Sequence, residues 1–282
     1  MNKRVIATIS ALLVCFGLLY RGVIARLVHD WYTDDNYSHG FLIVPIALYF
    51  VWERRAKLRE AAARPSLWGL ALVLGSMAML LAGILGSELF LTRVSMVGTL
   101  AGVVLFLLGW NHLKILFFPI AFLLLMIPIP AIIFNQVAFP LQLLASRFGE
   151  TALTLSQIPV LREGNVIHLA NTSLEVAEAC SGIRSLISLL TLGIVFGYFT
   201  DTRLWVRWAL AIGTIPIAIA ANGIRVAGTG IAAHHYGEAA AQGFFHSFSG
   251  WIIFVAAFIM MFLLYRIIAW IAPGRPAPGP AA

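Results

Sequence analysis

Cys180, Arg225 and His246 are the three residues whose types and placement could do chemistry together. Each stands at the edge of an apolar run: Cys180 in EACSGIRSLISLL (178–190), Arg225 in AIAANGIRVAG (218–228) and His246 in GFFHSFSGW (243–251). A thiolate is the reactive form of cysteine, and a helix N-terminus or a nearby cation lowers the thiol pKa from about 8.5. Cys180 comes just before a helix start, with Ser181 as its candidate N-cap and Gly182 permitting close backbone approach. Amide groups at such a start can also serve as oxyanion donors. Arg184 follows one turn later, and Arg225 arrives from a neighbouring run, with Asn222 one turn before it. His246 would pair with Cys180 as the base and then protonate a leaving amine. Arg225 would stabilise the thiolate or the tetrahedral oxyanion. The pattern points to acyl transfer by a cysteine nucleophile.

Plainer readings compete with this one. A lone cysteine in an apolar chain is more often a small buried hydrophobe, which is the reading for Cys15. Arginines near helix ends commonly snorkel to the headgroups, the default for Arg21, Arg26, Arg93 and Arg147. His234 and His235 are adjacent, so they point in different directions on a helix, and no further ligands join them; no metal site and no cofactor are expected. His39, in DDNYSHGFLIVP, lies beside Asp34 and Asp35 and either shapes a substrate site or caps the following helix.

The elements that must position these residues are apolar. The chain has 282 residues, 61% hydrophobic and 11% charged, against roughly a quarter charged in soluble domains. Apolar runs long enough to cross a bilayer recur, which makes this a polytopic membrane protein. Eight spans are expected, near 5–25, 40–52, 66–86, 93–109, 113–133, 182–200, 205–222 and 248–270. With both termini inside, the short loop ERRAKLREAAAR (53–64) is cytoplasmic and strongly basic, as the positive-inside bias requires. Asp30, Asp34, Asp35, Glu150, Glu163, Glu175 and Glu178 then fall outside. The net charge of +7 follows from that bias, and no basic face with interleaved aromatics suggests nucleic acid. This topology brings Cys180, Arg225 and His246 to outer ends of spans.

Two segments depart from simple spans. Residues 127–157 carry Pro128, Pro130 and Pro140, and are expected to break the fifth span and lay an amphipathic helix along the outer interface. Alternation at Val166, His168, Leu174 and Val176, with turns at 163–165 and 171–172, predicts a small β-hairpin outside the membrane. The expected fold is thus all-α, with about eight transmembrane helices, a small extracytoplasmic β-hairpin and an interfacial helix. Residues 1–272 form one transmembrane domain, and the Pro/Gly/Ala-rich tail, 273–282, is expected to be disordered.

EACSGIRSLISLL, ANGIRV and FFHSFSGW, preceded by LREGNVIHL and NYSHGFLIVP, resemble the exosortase branch of the exosortase/archaeosortase family, over about residues 31–270. The resemblance implies a bacterial inner-membrane cysteine peptidase or transpeptidase with its active site outside the cytoplasm. Its partners would be membrane-anchored proteins with a C-terminal sorting signal: a Pro-Glu-Pro-type motif, a transmembrane helix and a basic cluster. An acyl-thioester would be resolved by water or by an amine on a surface polysaccharide or lipid-linked acceptor. The family's cysteine, arginine and histidine match Cys180, Arg225 and His246, and Arg184 matches a residue often found four after the cysteine. Glu178 and His39 are carried as substrate-binding candidates. The rival class is a transporter or flippase for an anionic or lipid-linked substrate; a non-catalytic assembly factor and a serine intramembrane protease built on Ser249 rank lower. Cys180→Ser separates them, since a transporter or scaffold should barely notice it.

Overall fold

A computed structural model describes residues 3–170, 173–176, 183–237 and 244–273. The side chains of 3–6, 8–9, 183–184 and 244–250 fall outside the description. The chain divides into two compact units, Met1–Pro130 and Ala131–Ala282; the tail from 274 on lies outside the described residues.

Unit 1 is helical: α1 (Lys3–Thr33), α2 (Gly40–Glu53), α3 (Arg55–Glu60), α4 (Leu67–Leu85), α5 (Leu89–Leu108) and α6 (Trp110–Phe122), closed by a 3-10 turn at Leu123–Met126. α4 and α5 form a close antiparallel pair because Gly69, Gly83 and Gly102 let one backbone approach the other: a Cβ at Gly102 would lie 2.8 Å from Val73 Cγ2. Gly109 turns the chain from α5 into α6 at φ 85°, where a side chain would run into the Arg64 carbonyl. Polar side chains hold α1 to α5. Tyr20 Oη lies 2.8 Å from Thr99 Oγ1 and 3.3 Å from Ser95 Oγ, all buried. Arg93 pairs with Asp30, and Trp31 Nε1 donates to the Met126 carbonyl at 2.9 Å.

Unit 2 begins with α7 (Ala131–Leu155) and continues through β1 (Val160–Glu163), β2 (Val166–Leu169) and β3 (Ser173–Glu175). It ends with α8 (Ile183–Thr200), α9 (Leu204–Tyr236) and α10 (Phe244–Ile271). The strands form an antiparallel meander in the order β1-β2-β3, with Leu161 opposite His168 and His168 opposite Ser173. Ile167, Leu169 and Val176 on its inner side pack with Ala145 and Leu153 of α7 and with Val226 and Ala233 of α9. Ser146 donates to the Gly164 carbonyl at 3.0 Å, and Arg162 pairs with Glu150 at 2.7 Å. The sheet is thereby pinned to α7.

All eight expected spans contain apolar helix, but not all have crossing length. Among the described residues five helices are long and apolar enough to cross a membrane, six if Trp110–Met126 with Ala131–Leu155 counts as one broken span. Gly40–Glu53 and Ser185–Thr200 are apolar but shorter. Pro128 and Pro130 do break the helix, whereas Pro140 sits inside α7. The expected hairpin is a three-stranded meander, because Val160–Glu163 adds a strand that the alternation did not announce. Cys15 is exposed on α1 rather than buried.

Candidate active site

Asn222 and Arg225 lie one turn apart on α9, so they share a side of the helix. Asn222 is 4% exposed, Arg225 is half-buried, and the Arg225 Nε is closed off from solvent. They do not end a helix, as the hydropathy suggested. α9 runs to Tyr236; Asn222 is buried and Arg225 half-buried, so protein rather than lipid surrounds these two polar groups and the helix continues through them.

Two faces of α9 fix where Arg225 stands. One face is cut back by Gly223 and Gly230 and receives α7: a Cβ at Gly223 would sit 2.6 Å from Phe148 Cγ, and one at Gly230 would sit 2.9 Å from Leu153 Cδ1. In return Gly149 of α7 receives Val226. The other face carries Ile217, Ala218 and Ala221, packed with Leu189 of α8 and with Ala257 and Met261 of α10. Ala221 is one turn before Arg225 on this second face, so the arginine follows the seam between α8 and α10.

The contacts also set helix register. In antiparallel α8 and α9, Gly193 meets Thr214 and Gly197 meets Arg207. Ten residues back along α8, at Ile183, the same pairing reaches about residue 224 of α9, because both helices rise equally per residue. In parallel α8 and α10, Gly193 meets Met261 and the Thr200 carbonyl accepts from Tyr265 Oη at 3.1 Å. Stepping back equally brings Ile183 level with roughly residues 248–251, within about a turn and a half of position 246. Three helices therefore bring the start of α8, the Asn222–Arg225 turn and the first turns of α10 to one level.

Glu178, Cys180, Ser181 and Gly182 lie outside the described residues, as do the side chains of Arg184 and His246. His39 belongs to unit 1. Its Nε2 lies 3.2 Å from the Leu125 carbonyl, joining the start of α2 to the 3-10 turn, and burial lowers its pKa, so it is neutral at pH 7. Neighbouring Tyr37 is shifted upward, chiefly by burial. At the other end of the helices Arg203 holds the Asp201 carboxyl below its usual range and reaches the Ala272 carbonyl at 2.6 Å, tying the α8–α9 turn to the end of α10. Among the described residues no group of three or more His, Cys, Asp and Glu could hold a metal; the His234 and His235 rings lie at 78° to each other.

Sequence reasoning missed the Arg93–Asp30 pair. Arg93 is 2% exposed and does not snorkel. The acid and the base of this pair are 63 residues apart in sequence, and Asp30 read as a loop acid because the apolar run seemed to end at 25.

A family model described as transmembrane exosortase matches residues 31–263. No curated protein and no solved structure matches the chain. The matched segment takes in the Asn222–Arg225 turn and the helices that fix its level, and the chain belongs to the transmembrane exosortase family.

Proposed function

We propose that this exosortase is a cysteine peptidase or transpeptidase that cleaves C-terminal sorting signals of the Pro-Glu-Pro type at the outer face of the bacterial inner membrane. The observation that carries the reading is the common level of Ile183, Asn222–Arg225 and the first turns of α10. Cys180 is three residues before Ile183, and a three-residue chain spans at most about 11 Å. This common level of three helix segments supports the assignment of Cys180 as nucleophile, Arg225 as cation and His246 as base.

Depth supports the same reading. With Leu204 at the inner interface, beside Arg203 and Arg207, Arg225 is 21 residues along α9, about 31 Å at helical rise. That is the thickness of the hydrocarbon core, about 30 Å. The remaining turns of α9 would emerge outside, where α7 and the sheet pack on them. Strands and turns need such a place, because unpaired backbone cannot face lipid.

In this mechanism the Cys180 thiolate attacks a backbone carbonyl of the signal, and the electron pair moves to the carbonyl oxygen. Arg225 stabilises that oxyanion, with Asn222 and Arg184 in support and amides near Ser181 and Gly182 as further donors. Collapse breaks the C–N bond, and His246 delivers the proton to the leaving amine. Water or an acceptor amine then attacks the thioester and frees Cys180. Glu178 and His39 are proposed to contact the signal.

The test is co-expression with a membrane protein bearing such a tail, its size followed by immunoblot. Wild type should shorten it and Cys180→Ala should not. Arg225→Ala should slow processing by about 100-fold or more, the usual cost of losing an oxyanion donor. Equal processing by wild type and Cys180→Ala would refute the assignment and favour a transporter or scaffold.

A further inference from the structure

Unit 1 holds a cavity of about 360 Å³ between α1, α4 and α5, far in sequence from Cys180, Arg225 and His246. Its lining is divided in character. Arg26, Ser87, Thr92 and Arg93 are polar, whereas Leu19, Val23, Leu80, Ile84 and Leu89 are apolar. All three helices are long and apolar enough to cross a membrane, and Ser87 of the α4–α5 turn lines the cavity.

The polar part is built rather than incidental. Arg93 is 2% exposed, and its Nη2 is engaged by Asp30 while its Nε is buried with no hydrogen-bond partner. An unsatisfied buried cationic donor is costly, and native structures seldom leave one. The charged residues of the lining are both arginines; Asp30, which pairs with Arg93, and Glu88, which precedes α5 and keeps a buried Oε2 without a hydrogen-bond partner, do not line the cavity. α5 also begins there, and its N-cap residue makes no side-chain cap bond, so the dipole of a 20-residue helix adds to the attraction for an anion. A single negative group beside an apolar chain satisfies both halves of the lining, and a lipid has that shape.

We infer that this cavity is a binding site for the anionic headgroup of a membrane phospholipid, with Arg26 and Arg93 holding the phosphate and the Leu19–Leu80 side taking the start of an acyl chain. The site stands apart from the proposed peptidase chemistry and does not rest on it.

The test uses the full chain, purified in a neutral detergent, stripped of lipid and titrated with phosphatidylglycerol or phosphatidylcholine under native mass spectrometry. One phosphatidylglycerol should bind at least about tenfold more tightly than phosphatidylcholine, and Arg26→Gln should lose about tenfold, the scale of one charge-assisted contact. Arg26 is exposed, so the variant should fold. Arg21→Gln, an exposed arginine of the same helix outside the cavity, should bind as wild type does. Equal affinity for the two lipids, or unchanged binding by Arg26→Gln, overturns the site. Displacement of the lipid by an equal concentration of inorganic phosphate overturns its assignment to lipid and makes it a soluble-phosphate site.

Discussion

In unit 1 the helix α1 is held by polar pairs, a part-buried one of Arg93 with Asp30 and a buried one of Tyr20 with Thr99, and cavities open on both sides of it. One is the cationic cavity, and the other, about 490 Å³, is almost wholly apolar, between Phe16, Trp31, Pro45 and Met96. In unit 2 the site-bearing helices meet instead through glycines filled by side chains: Gly223 under Phe148, Gly193 against Thr214, Gly230 under Leu153. Lipid tails are as apolar as leucine, so burial in a bilayer does not by itself drive helices together. Polar pairs fix a helix at a few points and leave room between them, whereas glycine contacts fix register along the whole helix. A reaction that needs three helices held in register is better served by the second arrangement.

The largest expected effect comes from breaking the ion pair. Asp30→Leu leaves Arg93 buried with its partner gone, at a cost near the lower end for buried pairs, about 3 kcal/mol, because Asp30 keeps partial exposure. The double variant Asp30→Leu/Arg93→Met should recover most of that loss. SDS-unfolding midpoints of the three proteins would measure it. A double variant as unstable as the single one would mean that the pair is not what holds α1.

Next in size is overpacking at Gly223. A Cβ there meets the Phe148 ring at 2.6 Å, so Gly223→Ala should destabilise unit 2 by about 2 kcal/mol and slow processing of the sorting signal. Gly75 of α4 faces open space, so Gly75→Ala should stabilise by up to about 1 kcal/mol through helix propensity alone. Opposite signs at two mid-helix glycines would confirm that close approach, not flexibility, is what Gly223 supplies. Equal signs would end that distinction.

Much of this was legible beforehand. Apolar runs placed a helix in every expected span, and PPII-prone Pro128 and Pro130 marked the true break. What was not legible lay where polar residues sit inside helices. Arg21, Arg26 and Asp30 ended the apolar run of α1 eight residues before the helix ends at Thr33, and Asn222 and Arg225 did the same for α9. Hydropathy records whether a side chain suits lipid, while helix continuation depends on backbone bonds and on partners such as Asp30 for Arg93, 63 residues away. The level of Arg225 was expected from topology, but the packing that sets it, glycine against side chain, has no signal in a single sequence.

A smaller effect is expected at Tyr20. Its hydroxyl joins α1 to Thr99 and Ser95 with no other route to water, so Tyr20→Phe should cost about 1 kcal/mol. Because α1 is held at few points, the same change should also raise hydrogen exchange of the α1 amides, while exchange in α9 stays as in wild type.

The smallest effect is a dependence on pH, and it too separates the units. His39 has its pKa lowered from 6.5, mainly by burial, so the folded state resists a proton that the unfolded chain accepts. Above pH 6.5 both states are neutral at this residue and its contribution is constant. As pH falls below 6.5 toward the folded value, the unfolded state binds more protons and stability drops, levelling out once both forms are protonated. Asp201 acts in the opposite part of the scale: its carboxyl is lowered by Arg203, so what it adds is present at neutral pH and lost only as pH falls below its ordinary value of 3.8. Unfolding of unit 1 followed between pH 7 and pH 5 should therefore show a shallow loss that His39→Gln removes, since the amide keeps a donor for the Leu125 carbonyl and cannot titrate. Asp201→Asn should leave that slope unchanged. A slope that survives His39→Gln would assign the proton to another group of unit 1 and return His39 to the role of a neutral tie between α2 and the 3-10 turn.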